Sequence, residues 1–262
     1  MKLVEGKNAL IFGVANDHSI AWGIARSLHE QGATVAFSYA ADPLERRVRP
    51  LAAQLGSTFV EKCDVSDDEQ IARLFSKVQE RIGRVDILVH AIAYAPRQDL
   101  EGDFVNTSRS GFQTALDVSA YSLVALTRAS LPLMTEGGSV LTLTYNGGEK
   151  VAPGYRVMGV AKAALEATVR YLAAELGAKG IRVNAISAGP VRTLAAAGVP
   201  GFRAAYDRFA ASTPLRRNIT IDDLGNAAVW LTSEMSRNVT GQVVFVDAGH
   251  SILAAEPPPS AP

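Results

Sequence analysis

Short runs of apolar and β-branched residues alternate along the chain with longer stretches that carry apolar residues at helical spacing. The runs predict seven strands, over residues 8–14, 34–39, 57–61, 85–90, 139–144, 181–187 and 242–246. Several runs are apolar at nearly every position, which is typical of strands buried on both faces of a parallel sheet. Because strands and helices alternate, we expect an α/β fold with right-handed crossovers: a doubly wound, seven-stranded parallel sheet with helices on both faces.

The stretches between these runs predict amphipathic helices. Ile20, Ile24 and Leu28 share one face of the first helix. A longer apolar stripe marks a later helix, which Gly177 ends, and its members are Val157, Ala161, Ala164, Leu165, Thr168 and Leu172. No linker or charge block divides the chain. We therefore expect one domain over residues 1–256, followed by a disordered proline-rich tail at 257–262.

Charge and composition exclude several classes of function. The 26 basic and 26 acidic residues balance, so no basic face is expected and nucleic acid is not an expected partner. The single cysteine, Cys63, excludes an internal disulfide and a thiolate zinc cluster, and we interpret it as a small buried hydrophobe. The four histidines have no metal-ligand spacing, so no metal is expected. Apolar runs are too short to span a membrane and Glu5 and Lys7 interrupt any leader, which favours a cytoplasmic protein.

The segment after the first predicted strand has the physical features of a phosphate-binding loop. Gly13 ends the strand and allows a tight turn, and Ser19 is a suitable N-cap for a helix whose first amides face outwards. Small residues, namely Ser19, Ala21 and Gly23, occupy the positions expected near a pyrophosphate. The common Gly-x-Gly-x-x-Gly string is absent, so the pattern alone fits a dinucleotide site or an ordinary strand–turn–helix equally well.

Neither of the next two strand ends decides which dinucleotide binds. No acidic residue ends the second strand, where Tyr39 is followed by two alanines; Asp42 is close but also suits a helix cap. Arg46 and Arg47 fit either a 2′-phosphate contact or a solvated helix face. Asp64 and Val65 follow the third strand and fit an adenine contact, while Asp64 or Ser66 also fits a cap for the following helix.

Tyr155 and Lys162 are the candidate catalytic pair. Their spacing of seven predicts that both lie on one face of the long helix, two turns apart and away from its apolar stripe. Such pairs are the signature of short-chain reductases, in which the lysine binds the nicotinamide ribose and lends positive charge. The tyrosine hydroxyl then stabilises or protonates a developing oxyanion.

The spacing of this pair also bears on the reaction. Ordinary ketoreductases place tyrosine four residues before the lysine and a serine thirteen residues before that tyrosine. Here those positions hold Met158 and Tyr145, so the ordinary triad is absent. In conjugate reduction of an enoyl thioester, hydride enters at the β-carbon and charge appears on an oxygen three bonds away. A tyrosine displaced by three residues therefore fits conjugate reduction better than carbonyl reduction.

From Gly6 to about Ile252 the chain resembles the bacterial enoyl-acyl-carrier-protein reductases, of the NADH-dependent type within the short-chain dehydrogenase/reductase superfamily. The most specific stretches are Ser19-Ile-Ala-Trp-Gly, Val89-His-Ala-Ile-Ala-Tyr-Ala, Leu141-Thr-Leu-Thr-Tyr145, Tyr155-Arg-Val-Met-Gly-Val-Ala-Lys162 and Ile181-Arg-Val-Asn-Ala-Ile-Ser-Ala-Gly-Pro-Val-Arg-Thr-Leu-Ala195. The resemblance implies a Rossmann-like fold and a substrate-binding loop near 194–213. It also implies reduction of trans-2-enoyl thioesters on acyl carrier protein in fatty-acid synthesis, and a homotetramer.

The same resemblance implies a role for individual residues. The implied cofactor-binding residues are Gly13, Ser19, Ile20, Asp64, Val65, Ile92, Lys162, Val191, Thr193, Leu194 and Ala195. The implied substrate-binding residues are Ala95, Tyr145 and Tyr155, of which Tyr145 shapes the pocket and Tyr155 stabilises the enolate. The catalytic set is Tyr145, Tyr155 and Lys162. Members often carry glutamine or a basic residue where Ala40 stands here, so NADH is preferred over NADPH as the expected cofactor.

Two other functions remain open at this point. A 3-oxoacyl or other carbonyl reductase of the same fold would share the cofactor site, although Met158 and Tyr145 disfavour it. A non-catalytic NAD-binding sensor would have no need of Tyr155 beside Lys162.

Overall fold

Seven parallel strands form one sheet in the computed structural model, which describes residues 2–194, 196 and 201–254. The strands are β1 (Asn8–Phe12), β2 (Thr34–Tyr39), β3 (Val60–Lys62), β4 (Ile87–His90), β5 (Gly138–Thr144), β6 (Ile181–Ala188) and β7 (Val243–Val246). Their order across the sheet is β3-β2-β1-β4-β5-β6-β7. This confirms the expected doubly wound sheet, and the chain reverses its direction of winding between β1 and β4.

Helices cover both faces of the sheet. They are α1 (Ile20–Glu30), α2 (Asp42–Gln54), α3 (Asp68–Arg81), α4 (Arg109–Leu116), α5 (Ser122–Ser130), α6 (Val157–Leu176), α7 (Phe202–Phe209) and α8 (Ile221–Thr232). A π-helical turn, Asp117–Tyr121, joins α4 to α5. Helices α1, α2 and α8 pack on one face, and α3, α5 and α6 pack on the other.

Strand β1 shows how the apolar sequence serves both layers. Ala9 and Ile11 belong to the core under α1 and α8, whereas Leu10 and Phe12 belong to the core under α3, α5 and α6. Successive side chains of a strand point to opposite faces. A strand covered on both sides therefore needs apolar residues at every position, which is the pattern that predicted it.

Several predicted strand boundaries are wrong by one to three residues, and two of them have clear local reasons. The strand predicted over 8–14 ends at Phe12, because Gly13 turns the chain with a φ of 101°. The strand predicted over 57–61 begins only at Val60. Upstream of it, the Ser57 amide donates to the Ala52 carbonyl and closes the end of α2 before the chain joins the sheet.

The segment expected to be a loop near 194–213 contains regular structure. Helix α7 lies inside it, and a 3₁₀ turn, Ala210–Ser212, follows. Residues 195 and 197–200 lie outside the described residues, as does the predicted proline-rich tail at 257–262. Within the described part of the chain, no helix is long and apolar enough to cross a membrane, and no cluster of three or more metal-binding side chains occurs.

Candidate active site

The carboxyl edge of the sheet brings most of the predicted site residues together. Because all seven strands are parallel, their carboxyl ends lie along one edge. The predicted residues in the segments that follow these strands are Gly13 after β1, Asp64 and Val65 after β3, Ile92 and Ala95 after β4, Tyr145 after β5, and Val191 and Thr193 after β6. The point of winding reversal, between β1 and β4, is where open α/β sheets bind dinucleotides.

The turn after β1 has no room for a side chain. A Cβ on Gly13 would lie 2.1 Å from the carbonyl oxygen of Ala91, which follows β4, and the φ of 101° also disfavours any residue but glycine. Beyond this turn α1 begins at Ile20, and the first amides of a helix lack intrahelical acceptors. The close approach of two strand ends beneath free helix amides therefore fits the pyrophosphate of a dinucleotide.

Ser19 does not make the side-chain N-cap bond that the sequence suggests. It stands at the N-cap position of α1, but its hydroxyl makes no cap and instead accepts hydrogen bonds from the amides of Ala15 (3.0 Å) and Asn16 (3.1 Å). The side chain thus folds the loop over residues 13–19 and does not cap the Ile20 and Ala21 amides, while the Trp22 and Gly23 amides donate to the Ser19 carbonyl. A Cβ on Gly23 would meet the Ile221 carbonyl of α8 at 2.5 Å, and the expected proximity of Gly23 to the phosphate stays a prediction. Gly23 permits close packing of α1 on α8.

The ends of β2 and β3 line the part of the edge where the adenosine is expected. Asp42 begins α2 and pairs with Lys62 at 2.8 Å, with Ala41 as the N-cap. Helix α3 is capped by Asp67, whose carboxylate accepts from the Glu69 and Gln70 amides. The suggestion that Asp64 or Ser66 caps this helix is therefore wrong. Arg46 and Arg47 are exposed on α2.

Asp64 and Val65 lie in the loop after β3, at the carboxyl edge of the sheet, where they remain candidates for the adenine contact. The Asp64 carboxylate instead accepts from the amide and hydroxyl of Ser66, at 3.0 and 2.7 Å, and so shapes the loop directly after β3. Cys63 is buried next to it, and burial raises the pKa of its thiol to about 12, in keeping with the interpretation as a hydrophobe.

The segment after β4 is fixed by buried polar groups. His90, at the end of β4, hydrogen bonds through Nδ1 to Thr142 Oγ1 and through Nε2 to Ser122 Oγ, each at 2.8 Å. Burial lowers its pKa to about 3, with a further contribution from the charge of Lys162, so the ring is neutral. Ser119, in the π-helical turn, binds the backbone of Tyr94 on both sides, accepting from its amide and donating to its carbonyl. These contacts hold Ile92 and Ala95 at the sheet edge.

Tyr155 does not lie on helix α6. The helix begins at Val157, and Tyr155 sits in the preceding turn, so the prediction of one helical face two turns long is wrong. The chain turns at Arg156, which has a φ of 47° and a ψ of −125°. A turn of this kind changes the direction of the chain, and helical rise therefore gives no measure of the separation between Tyr155 and Lys162.

The two tyrosines nevertheless meet. Their rings are 4.9 Å apart between centroids at an interplanar angle of 72°, an edge-to-face contact that favours a fixed orientation. Burial raises the pKa of Tyr155, and the neighbouring Tyr145 and Glu166 raise it further. Burial also raises the pKa of Tyr145. Both hydroxyls are consequently neutral near pH 7, and the Tyr155 hydroxyl is a hydrogen-bond donor.

Lys162 is buried, at 4% exposure, on the face of α6 that meets the sheet. This differs from the expected position away from the apolar stripe. Its ammonium donates to the Leu143 carbonyl at 2.7 Å, and burial lowers its pKa to about 8 while the carboxylate of Glu166 opposes that shift. A lysine ammonium has three donors. One bond to a strand carbonyl leaves donors for the hydroxyls of a ribose, so the residue fits its expected role.

The residues expected at the nicotinamide end follow β6. Val191 packs against the core under α1 and α8, and Thr193 Oγ1 accepts from the Ala196 amide at 3.0 Å. Leu194 is half exposed. Ala195 lies outside the described residues, so its expected contact stays a prediction.

Sequence reasoning missed the groups that support the tyrosines. Glu166 is buried on α6 and accepts a hydrogen bond from Thr144 Oγ1 at 2.6 Å. The Gly147-Gly148 turn closes over it, since a Cβ on Gly147 would meet the Tyr155 ring at 2.6 Å and one on Gly148 would meet Glu166 at 2.7 Å. The glycine pair two residues after Tyr145 was the available signal, because paired glycines indicate close packing as well as a turn.

Comparisons with known proteins agree over nearly the full chain. The model of the family described as Enoyl-(Acyl carrier protein) reductase matches residues 13–251. An enoyl-[acyl-carrier-protein] reductase [NADH] of Aquifex aeolicus (strain VF5) is 53% identical over 254 residues, which cover 97% of this chain and 94% of that protein. A crystal structure of an Aquifex aeolicus VF5 enzyme of that name superposes with a TM-score of 0.94, covering 97% and 99% of the two chains.

Two further solved structures carry a nucleotide. The Bacillus cereus enoyl-acyl carrier protein reductase, crystallised with NADP+ and indole naphthyridinone, is 50% identical with a TM-score of 0.95 and covers 97% of this chain and 100% of its own. The Anaplasma phagocytophilum reductase in complex with NAD is 48% identical with a TM-score of 0.93, over 97% of both chains.

Proposed function

The chain belongs to the enoyl-[acyl-carrier-protein] reductase family, whose relatives are NADH-dependent oxidoreductases, and we propose that Tyr155, Lys162 and Tyr145 carry this reaction here. The substrate is a trans-2-enoyl thioester carried on acyl carrier protein, reduced at its double bond in fatty-acid synthesis. The observation that carries the assignment of residues is the edge-to-face contact of Tyr145 with Tyr155, together with the burial of Lys162, whose ammonium donates to the Leu143 carbonyl near the end of β5.

Bound NADH supplies the hydride, which enters the β-carbon of the enoyl thioester. The electron pair of the double bond moves towards the thioester carbonyl, and negative charge appears on its oxygen. Tyr155 donates a hydrogen bond to that oxygen, since its hydroxyl stays protonated in its buried setting. A proton then adds at the α-carbon, which completes the saturated thioester. Lys162 binds the ribose next to the nicotinamide, and its positive charge favours the anionic intermediate.

The arrangement disfavours carbonyl reduction. The position that holds tyrosine in ordinary ketoreductases holds Met158, which is buried with its sulfur 3.9 Å from the Ser119 hydroxyl. No acidic hydroxyl is therefore available there to protonate a ketone oxygen. A passive NAD sensor is disfavoured for a different reason: binding the ribose uses Lys162 but does not require the Tyr155 hydroxyl.

The residues at the end of β2 favour NADH over NADPH. We assign the pyrophosphate to Gly13, Ser19 and Ile20, and the adenine to Asp64 and Val65. The end of β2 has alanines at 40 and 41, and the nearby Lys62 is already paired with Asp42. No basic side chain follows β2 directly, and Arg46 and Arg47 stand further along on the exposed face of α2, so a 2′-phosphate would find little compensation for its charge at the strand end.

The nicotinamide and acyl ends of the site complete the proposal. Ile92, Val191, Thr193, Leu194 and Ala195 border the nicotinamide, while Ala95 and the segment near 194–213 border the acyl chain. We further propose that residues 1–256 act as one domain of a cytoplasmic homotetramer. Large apolar side chains exposed on α6 and on the turn before α5, such as Tyr171 and Tyr121, support assembly. Light scattering of the purified protein should give four times the 27.8 kDa chain mass.

Substrate comparison tests the proposed function. NADH oxidation is followed at 340 nm with crotonyl thioester, with acetoacetyl thioester, and with NADPH in place of NADH. We expect turnover of the enoyl substrate with NADH, weaker turnover with NADPH, and none of the ketone. Turnover of acetoacetyl thioester alone would contradict the proposal and favour a carbonyl reductase. Binding of NADH without turnover of either substrate would favour a sensor.

A further inference from the structure

The sharp turn between Tyr155 and helix α6 is built on an arginine. Arg156 has a φ of 47° and a ψ of −125°, a backbone conformation that a residue with a Cβ rarely adopts. Holding a residue there costs about 1–3 kcal/mol, and such strain persists only where the surroundings fix it. Glycine and asparagine adopt a positive φ more easily. The turn by itself therefore does not explain why arginine stands at position 156.

The Arg156 side chain provides a reason. Its Nη1 donates to the Leu100 carbonyl at 2.6 Å, across 56 positions of sequence. Leu100 ends a 3₁₀ turn, Arg97–Leu100, that follows Ala95 on the segment after β4. The arginine thus ties the turn before α6 to the segment that borders the proposed acyl site.

Backbone hydrogen bonds connect this tie directly to Tyr155. The Tyr155 amide donates to the Ala152 carbonyl at 3.0 Å, and the Tyr155 carbonyl accepts from Met158 at 3.1 Å. The Arg156 carbonyl accepts from Gly159 at 2.9 Å and so starts the helix. Any rotation at Arg156 would therefore shift Tyr155 relative to α6, which carries Lys162.

Packing on the other side of the tie involves the same elements. Ala95 and Leu100 form a small apolar cluster with Met158 and Ala161 of α6, and Tyr155 packs against it. The segment after β4, the strained turn and the start of α6 therefore form one packed unit. Among the hydrogen bonds of the described residues, the bond from Arg156 Nη1 to the Leu100 carbonyl is the one that ties residues 155 and 156 to an element outside the turn and the helix.

We propose that Arg156 is a positioning residue, whose bond to the Leu100 carbonyl holds the strained turn that directs the Tyr155 hydroxyl to the thioester oxygen. This inference rests on the proposed role of Tyr155 in enoyl reduction. A catalytic hydroxyl misplaced by about 1 Å loses much of its effect, on the order of 100-fold in rate. Arg156 consequently affects kcat, while NADH affinity depends on groups that it does not touch.

Substitutions of Arg156 separate the effect of the strained φ from the effect of the bond to the Leu100 carbonyl. R156G removes the bond to Leu100 and relieves the strained φ together, so we expect it to fold with a Tm at or above that of R156A. Both variants should lose kcat by at least tenfold on crotonyl thioester, with the KM and the Kd for NADH within twofold of wild type. R156K keeps a cation and a donor and should recover part of the kcat. R97A removes an exposed arginine from the same 3₁₀ turn and should match wild type.

The outcomes distinguish this inference from the function on which it rests. Wild-type kcat in R156G and R156A would overturn the positioning role while leaving enoyl reduction intact. A rise in KM at unchanged kcat would also overturn it, because it would mean that Arg156 contacts the substrate. Absence of enoyl turnover in the wild-type protein would instead contradict the proposed function itself. A stable R156G with low kcat supports positioning, since a merely structural arginine would lower Tm and activity together.

Discussion

At the scale of single residues, the site combines a neutral tyrosine with a costly buried cation. Desolvation moves the pKa of Tyr155 upwards and that of Lys162 downwards to about 8. Each shift disfavours the charged form, so burial sets the protonation of both groups. The tyrosine is thereby a donor for an anion that forms during the reaction, and the lysine remains cationic only in neutral or acidic solution.

Removal of the Tyr155 hydroxyl should slow the chemical step. Loss of one donor to an oxyanion costs about 100-fold or more in kcat, and we expect Tyr155→Phe to show a loss of this size. The ring contact with Tyr145 is kept in this variant, so NADH affinity, measured by fluorescence titration, should be unchanged. Tyr171→Phe, at an 80% exposed residue of α6, is the matched control once light scattering shows that it assembles as the wild type does. Equal kcat in both variants would refute the role of Tyr155.

The buried charge of Lys162 should make stability depend on pH. Its folded-state pKa of about 8 lies below the ordinary 10.5, so the unfolded chain binds more protons between these values. Stability contributed by this group therefore rises with pH through that window, and its cost is fully present below pH 8. Relative to Lys162→Met, the wild type should gain about 3 kcal/mol in free energy of unfolding between pH 7 and pH 10.5.

Urea unfolding of the wild type and Lys162→Met at pH 7 and pH 10.5 measures this difference in free energy of unfolding. Lys162→Met leaves the Leu143 carbonyl without its donor at either pH, so that loss cancels in the comparison. A difference in free energy of unfolding between the two proteins that does not change with pH would mean that the Lys162 ammonium is not desolvated. The variant should also lose most turnover, since the ribose contact and the charge disappear together.

At the scale of elements, the sequence predicted what depends on periodicity and missed what depends on close packing. All seven strands were found because both faces of each are apolar or shielded by helices. Tyr155 was placed on a helix because the pattern around Val157 and Ala161 is continuous with it. Only the strained turn at Arg156 interrupts the helix, and arginine carries no sequence signal for a positive φ. Glu166 was missed because a lone acidic residue on a helix is ordinarily solvated.

The loop after β1 depends on glycine in two separate ways, and a pair of variants separates them. Gly13→Ala introduces both a strained φ and a collision with the Ala91 carbonyl. Gly83→Ala has a similar φ of 82° but nothing within 4 Å of the new Cβ. We expect Gly83→Ala to cost about 1 kcal/mol of stability and to leave NADH binding unchanged. Gly13→Ala should cost more and weaken NADH binding by at least tenfold, as calorimetry would show. Equal NADH affinity in the two variants would contradict the assignment of this loop to the pyrophosphate.

At the scale of the whole molecule, His90 connects the sheet to the helix layer below the site. It joins β4, β5 and α5 through Thr142 and Ser122, and the positive charge of Lys162 adds to the effect of burial on its ring. The overall architecture was predictable from strand–helix alternation. The polar connections inside it were not, because a single histidine gives no periodic signal.

This connection predicts how the molecule unfolds in acid. The folded-state pKa of about 3 lies below the ordinary 6.5, so the unfolded chain binds more protons as the pH falls between these values. Stability from the neutral ring is present above pH 6.5 and declines below it, by up to about 3 kcal/mol at pH 4.5. His90→Asn should flatten the acid limb of the unfolding free energy relative to wild type. Parallel acid limbs for the two proteins would show that His90 is accessible to protons.

Conjugate hydride transfer is the central claim, and isotope location tests it most directly. The protein is given NADH deuterated at C4 with crotonyl and acetoacetyl thioesters together, and the products are examined by NMR. We predict deuterium at C3 of a butyryl thioester, a solvent-derived hydrogen at C2, and unchanged acetoacetyl thioester. Deuterium on the hydroxyl-bearing carbon of a 3-hydroxybutyryl thioester, with crotonyl thioester left intact, would contradict the account.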